Sequence, residues 1–333
     1  MTHPIELNQI LVAQPTLFDR SHWGCIQLTG ADRVRFLHNQ TTNNIEQLQA
    51  GQGCHTVFVT STGRTIDLAS VYALPESLLV CVSPNMAKPL YDWMDRYIFF
   101  SDKVALTDES DETFRLTLVG ENADAVIQKL GVTEATALTE QVEFTHEAVT
   151  LPDTNISVRI AVGSDLAVNG YTLIGQQADK DSVSKLLCSS GATVGTAQQW
   201  EQLRIQQGRP MPAQELTDDE NPLEAGLWQG VSFEKGCYIG QETIARLNTY
   251  QGVKKRLWGL LLEAAAPVGT ALTYEGKKVG KLTSVTHVES VYYGLAYLRT
   301  KTGGEGLTVD LDGVAAHVVS LPFVTHQYYS AAE

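Results

Sequence analysis

The sequence predicts an α+β protein whose first two-thirds mix helices and strands and whose last third is all β. Three observations support this. A chain of 333 residues has the length of two or three domains, at roughly 150 residues each. Up to about Tyr250, segments with alternating apolar residues interleave with segments of helical spacing. From Lys254 onward, short apolar runs alternate with glycine turns, the pattern of a small barrel or sandwich. The boundary lies at Tyr250 to Val253, so the chain divides into 1–250 and 254–326.

Cys25-Ile26-Gln27-Leu28 reads as a strand ending at Gly30. Asp32 then suits the N-cap of a short helix carrying Val34, Phe36 and Leu37, and Gln40-Thr41-Thr42-Asn43-Asn44 suits a polar turn. His55 to Thr60 and Thr65 to Tyr72 alternate as strands, joined through Ser61-Thr62-Gly63-Arg64 in a hairpin. Leu78 to Val82 is another strand. Ser83-Pro84 starts a helical segment reaching Arg96, which Pro89 interrupts. Phe114 to Val119, Ile156 to Val162 and Tyr171 to Ile174 are strand-like. Asn122 to Leu130, ending at Gly131, and Asp179 to Leu187, ending before Gly191, are helix-like. Thr196 caps a helix with Trp200, Leu203 and Ile205, closed by Gly208 and Pro210. The acidic segment Pro212 to Pro222 reads as an exposed connection. The last third supplies six strand-like runs: Leu257 to Leu262, Thr270 to Tyr274, Lys278 to Val285, Gly294 to Leu298, Leu307 to Leu311 and Ala315 to Val319.

The formal net charge of -14 argues against direct nucleic-acid binding. Lys254-Lys255-Arg256 is a short basic triplet, read more simply as a solvated turn or strand edge. No apolar run approaches the 18 or so residues of a membrane span, and Met1 to Asn8 lacks the basic and apolar regions of a signal peptide. A soluble, cytoplasmic protein with no membrane partner is expected. The five cysteines, Cys25, Cys54, Cys81, Cys188 and Cys237, are widely spaced and show no metal-ligand spacing. No metal site is expected, and Cys81 and Cys188 lie in apolar runs as core residues do. Thr302-Gly303-Gly304-Glu305-Gly306 reads as a turn, not a nucleotide loop.

Cys237 differs from the other four. It lies in Phe233-Glu234-Lys235-Gly236-Cys237-Tyr238-Ile239-Gly240-Gln241-Glu242, two residues after a cation and shortly before a helix start. Lys235 favours a thiolate by charge, and helix N-terminal amides favour it by their dipole. Gly236 and Gly240 permit backbone shapes and close approaches that a Cβ would block. Tyr238 is expected to pack, and Gln241 and Glu242 to stand in the first helical turn. Arg246, four residues after Glu242, is placed to pair with it for about 0.2–0.5 kcal/mol.

Lys235-Gly236-Cys237-Tyr238-Ile239-Gly240-Gln241-Glu242, continued by Thr243-Ile244-Ala245-Arg246, resembles the defining motif of the YgfZ family of folate-binding proteins. These are relatives of the glycine-cleavage T-protein, an aminomethyltransferase. Gly30-Ala31-Asp32 with Phe36-Leu37 and Thr42-Asn43 is similar to the family's N-terminal segment. Leu203-Arg204-Ile205 with Gly208 and Pro210, then Asn221 to Leu227, is similar to the run before the cysteine motif, and Val279 to Ser284 to the C-terminal domain. The resemblance implies a three-part ring of two intertwined α/β subdomains and a C-terminal antiparallel β-barrel, around a folate channel. It implies Cys237 and Lys235 as the reactive pair, with Thr42, Asn43, Asp67, Arg204 and Gln206 at tetrahydrofolate. It also implies a role in assembling or repairing iron–sulfur clusters, which indirectly supports tRNA modification. The partners would be iron–sulfur client proteins or the assembly machinery. A folate-dependent aminomethyltransferase and a non-catalytic ligand sensor are the alternatives. Two departures bear on the choice. Where the T-protein has two adjacent acids, this chain reads Asp67-Leu68, and where it has a pterin-binding glutamate, Gln206 stands.

Overall fold

A computed structural model describes residues 13–131 and 142–330; the signal-peptide reading of Met1 to Asn8 falls outside them. The contacts among the described residues form two compact units, one within 13–56 and 68–197, the other made of Val57–Asp67 and 198–330.

In the first unit the chain runs through β1 (Thr16–Asp19), β2 (Trp23–Thr29), α1 (Arg33–Gln40), β3 (Gly53–Val59), β4 (Thr65–Ala73), β5 (Ser77–Pro84), α2 (Ala87–Asp95) and β6 (Ala105–Asp108). It continues through β7 (Thr113–Val119), α3 (Ala123–Gln128), β8 (His146–Thr150), β9 (Ser157–Val162), β10 (Gly170–Gln176), α4 (Lys180–Ser189) and β11 (Thr193–Val194). Five strands form a sheet ordered β3-β4-β5-β2-β6, and six form another ordered β11-β1-β7-β10-β9-β8. The two α/β parts expected of the region are these sheets with their helices. Cys25, Tyr72, Leu79 and Cys81 of the first sheet pack with Phe144, Ala161 and Ile174. Leu116, Leu118, Val158, Ile160 and Leu173 of the second pack under α3 and α4 through Ala123, Val126, Ile127, Val183 and Leu187. β7 is buried along its whole length even though Thr113, Arg115 and Thr117 alternate with its apolar residues.

Three local expectations change. Ser83-Pro84 ends β5, and the helix starts only at Ala87. Pro89 does not interrupt the helix, because it falls in the first turn of α2, where the backbone N–H has no intrahelical partner to lose. Asp32 stands at the N-cap of α1 without capping it; its Oδ2 instead accepts from the Lys103 backbone N–H at 3.0 Å.

The second unit holds the tip of the β3–β4 hairpin, α5 (Ala197–Gln207), α6 (Gln241–Thr249) and the strands β12 (Lys255–Leu262), β13 (Ala271–Tyr274), β14 (Lys277–Val288), β15 (Val291–Arg299), β16 (Thr308–Leu311) and β17 (Val314–Val319). These six strands close into a barrel in the order β12-β15-β14-β13-β16-β17. Its interior is filled by Leu260, Leu272, Leu282, Leu298, Leu311 and Val318 among others, each worth about 1.5–3 kcal/mol when fully buried. Closure leaves no free sheet edge. The segment Pro212 to Pro222 is irregular as expected but only partly exposed, with Ala213, Gln214, Asp218 and Asp219 at the surface. Glu215 and Glu220 are buried because each has a cation: Arg204 Nη1 lies 3.2 Å from Glu215, and Lys255 Nζ 2.6 Å from Glu220. No helix among the described residues is long and apolar enough to cross a membrane.

Candidate functional site

Cys237 sits on an irregular loop of the second unit that runs from Val231 into α6, and its side chain is exposed. At the preceding residue, Gly236, a Cβ would meet nothing within 4 Å, so the loop faces open space there. Cys25 and Cys81 are buried and Cys54 and Cys188 half-buried, which leaves Cys237 as the accessible thiol of the chain. Helix α6 starts at Gln241, four residues after Cys237, and Lys235 stands two residues before it. The Lys235 Nζ lies 4.8 Å from the centre of the Tyr238 ring, a cation–π contact between side chains on either side of Cys237. Tyr238 is half-buried, and that burial pushes its phenol up, so the group stays protonated and packs as expected.

The loop is held on both sides. On the helix side Gly240 has φ +81°, and a Cβ there would stand 2.5 Å from the Thr60 carbonyl oxygen and 3.0 Å from the Gly63 backbone. Gly63, at φ +73°, would in turn crowd Gly240 and Thr243 at 3.2 Å. The hairpin tip and the start of α6 therefore meet backbone to backbone, an approach only glycine allows. Gln241 closes the turn in both directions: its Oε1 accepts from the Tyr238 N–H at 3.0 Å, and its own N–H donates to the Tyr238 carbonyl at 3.3 Å. Ile244, fully buried, pins the helix. Glu242 and Arg246 are both exposed and form no ion pair, contrary to expectation; the gain from an exposed pair does not outweigh the freedom of two long side chains.

The opposite side of the loop is strapped by the C-terminal segment. Phe233 stacks on Tyr329 with ring centres 5.0 Å apart, and the Tyr329 hydroxyl donates to Glu234. Asn248 of α6 binds the Tyr329 backbone twice, donating to its carbonyl at 3.1 Å and accepting from its N–H at 2.9 Å. Sequence reasoning missed this strap, because Glu234 and Tyr329 are 95 residues apart.

Three of the residues expected at a folate also lie in the second unit. Arg204, fully buried on α5, spends its guanidinium on Glu201, Glu215, Gln214, Ser284 and the Arg209 carbonyl, at 2.5 to 3.2 Å. Burial works against its charge, but Glu201 and Glu215 overcome that and hold it protonated. The residue thus pins α5 to β14. Gln206 is 2% exposed, with its amide beside the Tyr293 hydroxyl, and its Nε2 makes no well-formed hydrogen bond. Asp67 is fully buried on β4. The other two residues belong to the first unit. Thr42 is fully buried. Asn43 donates from Nδ2 to the His55 carbonyl at 2.7 Å and accepts at Oδ1 from the Asn44 N–H at 2.8 Å, which is turn chemistry. Asp67 is a buried carboxylate able to accept from pterin N–H donors, and Gln206 a buried amide with one acceptor oxygen and an Nε2 without a well-formed hydrogen bond, so these two are the groups that would meet a tetrahydrofolate.

The first unit contains a charged cluster with no signal in the sequence. Asp165, at φ +61°, accepts from Arg20 at 3.0 Å, from Arg115, from Ser70 at 2.6 Å and from His55 at 3.3 Å. Burial alone would raise its carboxyl, but Arg115, Arg20 and the His55 hydrogen bond hold it well below the usual carboxylate range. The cluster bolts the β9–β10 loop to β3 and β4. Its partners are 50 to 145 residues apart, beyond any local pattern.

Comparison with known proteins matches two family models. The GCVT N-terminal domain covers residues 9–235, and the CAF17 C-terminal beta-barrel domain covers residues 254–324. The Arabidopsis thaliana protein named "Putative transferase At1g60990, chloroplastic" is 42% identical over 320 residues, 94% of this chain and 72% of that protein. The aminomethyltransferase of Bacillus subtilis (strain 168) is 29% identical over 324 residues, 92% of this chain and 87% of its own. The crystal structure of glycine cleavage system aminomethyltransferase T from Bartonella henselae superposes with a TM-score of 0.79 at 20% identity, covering 96% of this chain and 88% of that one, which shows a common fold. With the GCVT domain over most of its length and the CAF17-type barrel after it, the chain belongs to the folate-binding, T-protein-like YgfZ/CAF17 family.

Proposed function

We propose that this protein is a folate-linked accessory factor in iron–sulfur cluster assembly or repair, with Cys237 as its working thiol and an indirect effect on tRNA modification. One observation carries the reading. Cys237 is the exposed cysteine, on a loop anchored at both ends yet open at Gly236. A thiol presented in this way serves an encounter with another molecule better than it serves packing. One thiolate is a single ligand, whereas an iron–sulfur cluster is commonly held by four cysteines. The remaining ligands would come from the partner, a client protein or the assembly machinery, so the cluster is cargo in transit. Asp67 and Gln206 would hold tetrahydrofolate, whose ring amines carry one-carbon units when it is bound. The proposed setting is the cytoplasm, where thiols stay reduced.

The test is Cys237→Ser in a strain lacking the protein. Complementation should be lost while the melting temperature is unchanged, because the thiol is exposed; a fully active serine variant would remove the proposal. Tetrahydrofolate should raise the melting temperature by mass action, by about 2.7 kcal/mol of stability at 100 times its Kd. A second reading, aminomethyl transfer, is favoured by the names of the relatives that match over 92% of this chain. Leu68, 1% exposed, stands where the T-protein keeps its second acid and weighs against it. Turnover of an aminomethylated carrier by the purified protein decides between the two.

A further inference from the structure

The barrel carries a concave site that plays no part in the proposed function. In the second unit, the segment 213–220 faces β14 and β15 across a cleft of about 430 Å³, lined by Lys255, Lys278, Lys281 and Arg299 together with Asp219 and Glu220. Lys255 is already neutralised, with Nζ 2.6 Å from Glu220 and 5.0 Å from the centre of the Tyr297 ring. Lys278, Lys281 and Arg299 are exposed and make no ion pair. The chain has 38 carboxylates for 24 lysines and arginines, so three unpaired cations around one cavity run against its composition.

The strand register gathers them. Lys278 and Lys281 are three residues apart and would point to opposite faces of a regular strand. A bulge corrects this: Thr273 pairs with Lys278, Leu272 with Gly280 and Ala271 with Lys281, so both lysines share the face of Ala271 and Thr273. Lys281 lies opposite Tyr297, and Arg299, two residues further along β15, lies opposite Lys255. All four cations therefore stand on one outer face of the barrel. Gly280, which turns its side-chain position toward Leu272 and Leu298 in the barrel core, lines the cleft between them. The facing wall is preformed: the Tyr297 hydroxyl donates to the Glu215 carbonyl at 2.8 Å, and Ser284 donates to the Glu215 carboxylate at 2.6 Å.

We propose that this cleft binds a small polyanion, a molecule carrying phosphate or clustered carboxylate groups. Two ammonium point charges and a guanidinium fork are the groups that recognise such anions, and the volume is that of a small-molecule site. The proposal does not depend on the role of Cys237.

Titration calorimetry of the full chain at low ionic strength tests it, with inorganic pyrophosphate and citrate as probes. Saturable one-to-one binding is expected. It should weaken at least about tenfold in Lys281→Gln/Arg299→Gln, given the strength of charge-assisted hydrogen bonds, and should fade with added salt. Lys254→Gln, exposed and outside the cleft, should bind as the parent does. Lys278→Gln alone gives a second reading at a position equally exposed, in case the double variant folds poorly. Binding of pyrophosphate only marks a phosphorylated ligand, and binding of citrate only a polycarboxylate; either supports the cleft. No binding of either at millimolar concentration, or equal affinity in the parent and both cleft variants, overturns it.

Discussion

Gly240→Ala tests whether the contact between the hairpin and α6 sets the geometry of the cysteine loop. Gly240 has φ +81° and ψ 0°, where an L-residue carries a penalty of about 1–2 kcal/mol. The new Cβ would lie 2.5 Å from the Thr60 carbonyl oxygen and 3.0 Å from the Gly63 Cα and N. All three are backbone atoms, so no side chain can rotate away, and overpacking adds about 1–3 kcal/mol. The expected loss is therefore about 2–5 kcal/mol in urea denaturation. Gly236→Ala is the matched control four positions earlier. Its Cβ would meet nothing within 4 Å, and the expected change is within about 0.5 kcal/mol. Alkylation of Cys237 by a neutral reagent should change rate in Gly240→Ala and hold steady in Gly236→Ala. If Gly240→Ala loses less than about 1 kcal/mol, or the two alanines behave alike, the backbone contact does not position the loop.

Three further outcomes are expected. Arg204→Met should destabilise by about 3–5 kcal/mol in calorimetry, because it leaves Glu215 buried without its cation, and Arg204→Met/Glu215→Leu should recover part of that loss. Burial, with Arg256 adding to it, lowers the His326 imidazole from 6.5 to about 4, so the ring is neutral in the folded protein and protonated below 6.5 in the unfolded chain. Its contribution is complete above pH 6.5 and declines as the pH falls toward 4, by about 2 kcal/mol at pH 5; His326→Gln should flatten stability over that window. Gln206→Glu should bind tetrahydrofolate more tightly by titration calorimetry, since a carboxylate accepts two N–H donors whereas the amide offers one acceptor oxygen and a mismatched NH2 donor.

Regular elements were legible where a local pattern sufficed. The alternation of Leu257 to Leu262 and Ala315 to Val319 predicts β12 and β17, and Gly63 in a four-residue polar stretch predicts the β3–β4 turn. Short strands with little buried surface, such as β6 and β11, leave almost no pattern to read. The cysteine motif was legible for a different reason: its special residues act on neighbours in sequence, with Lys235 over Tyr238 and Gln241 back onto Tyr238. What holds the motif in place was not, because Thr60 and Tyr329 reach it only through the fold. The acidic stretch Pro212 to Pro222 shows the same limit in terms of charge. Whether Glu215 is solvated or buried depends on Arg204, which its own neighbours do not reveal.

That dependence also separates the two kinds of cation in this chain. A buried charge persists only when paired and hydrogen-bonded, and Arg20, Arg115 and Arg204 each meet a buried carboxylate, Asp165 or Glu215. Their placement is explained by the fold itself. Lys278, Lys281 and Arg299 satisfy no buried group, and the barrel would close without their charges. The bulge at Val279 nevertheless turns both lysines to one face, the outcome a regular strand would prevent. Repulsion among like charges on one face works against folding and is relieved only by salt or by an anion. If the cleft binds an anion, melting temperature at low ionic strength should rise on adding pyrophosphate or citrate in the parent and not in Lys281→Gln/Arg299→Gln, whose melting temperature should start higher than the parent's.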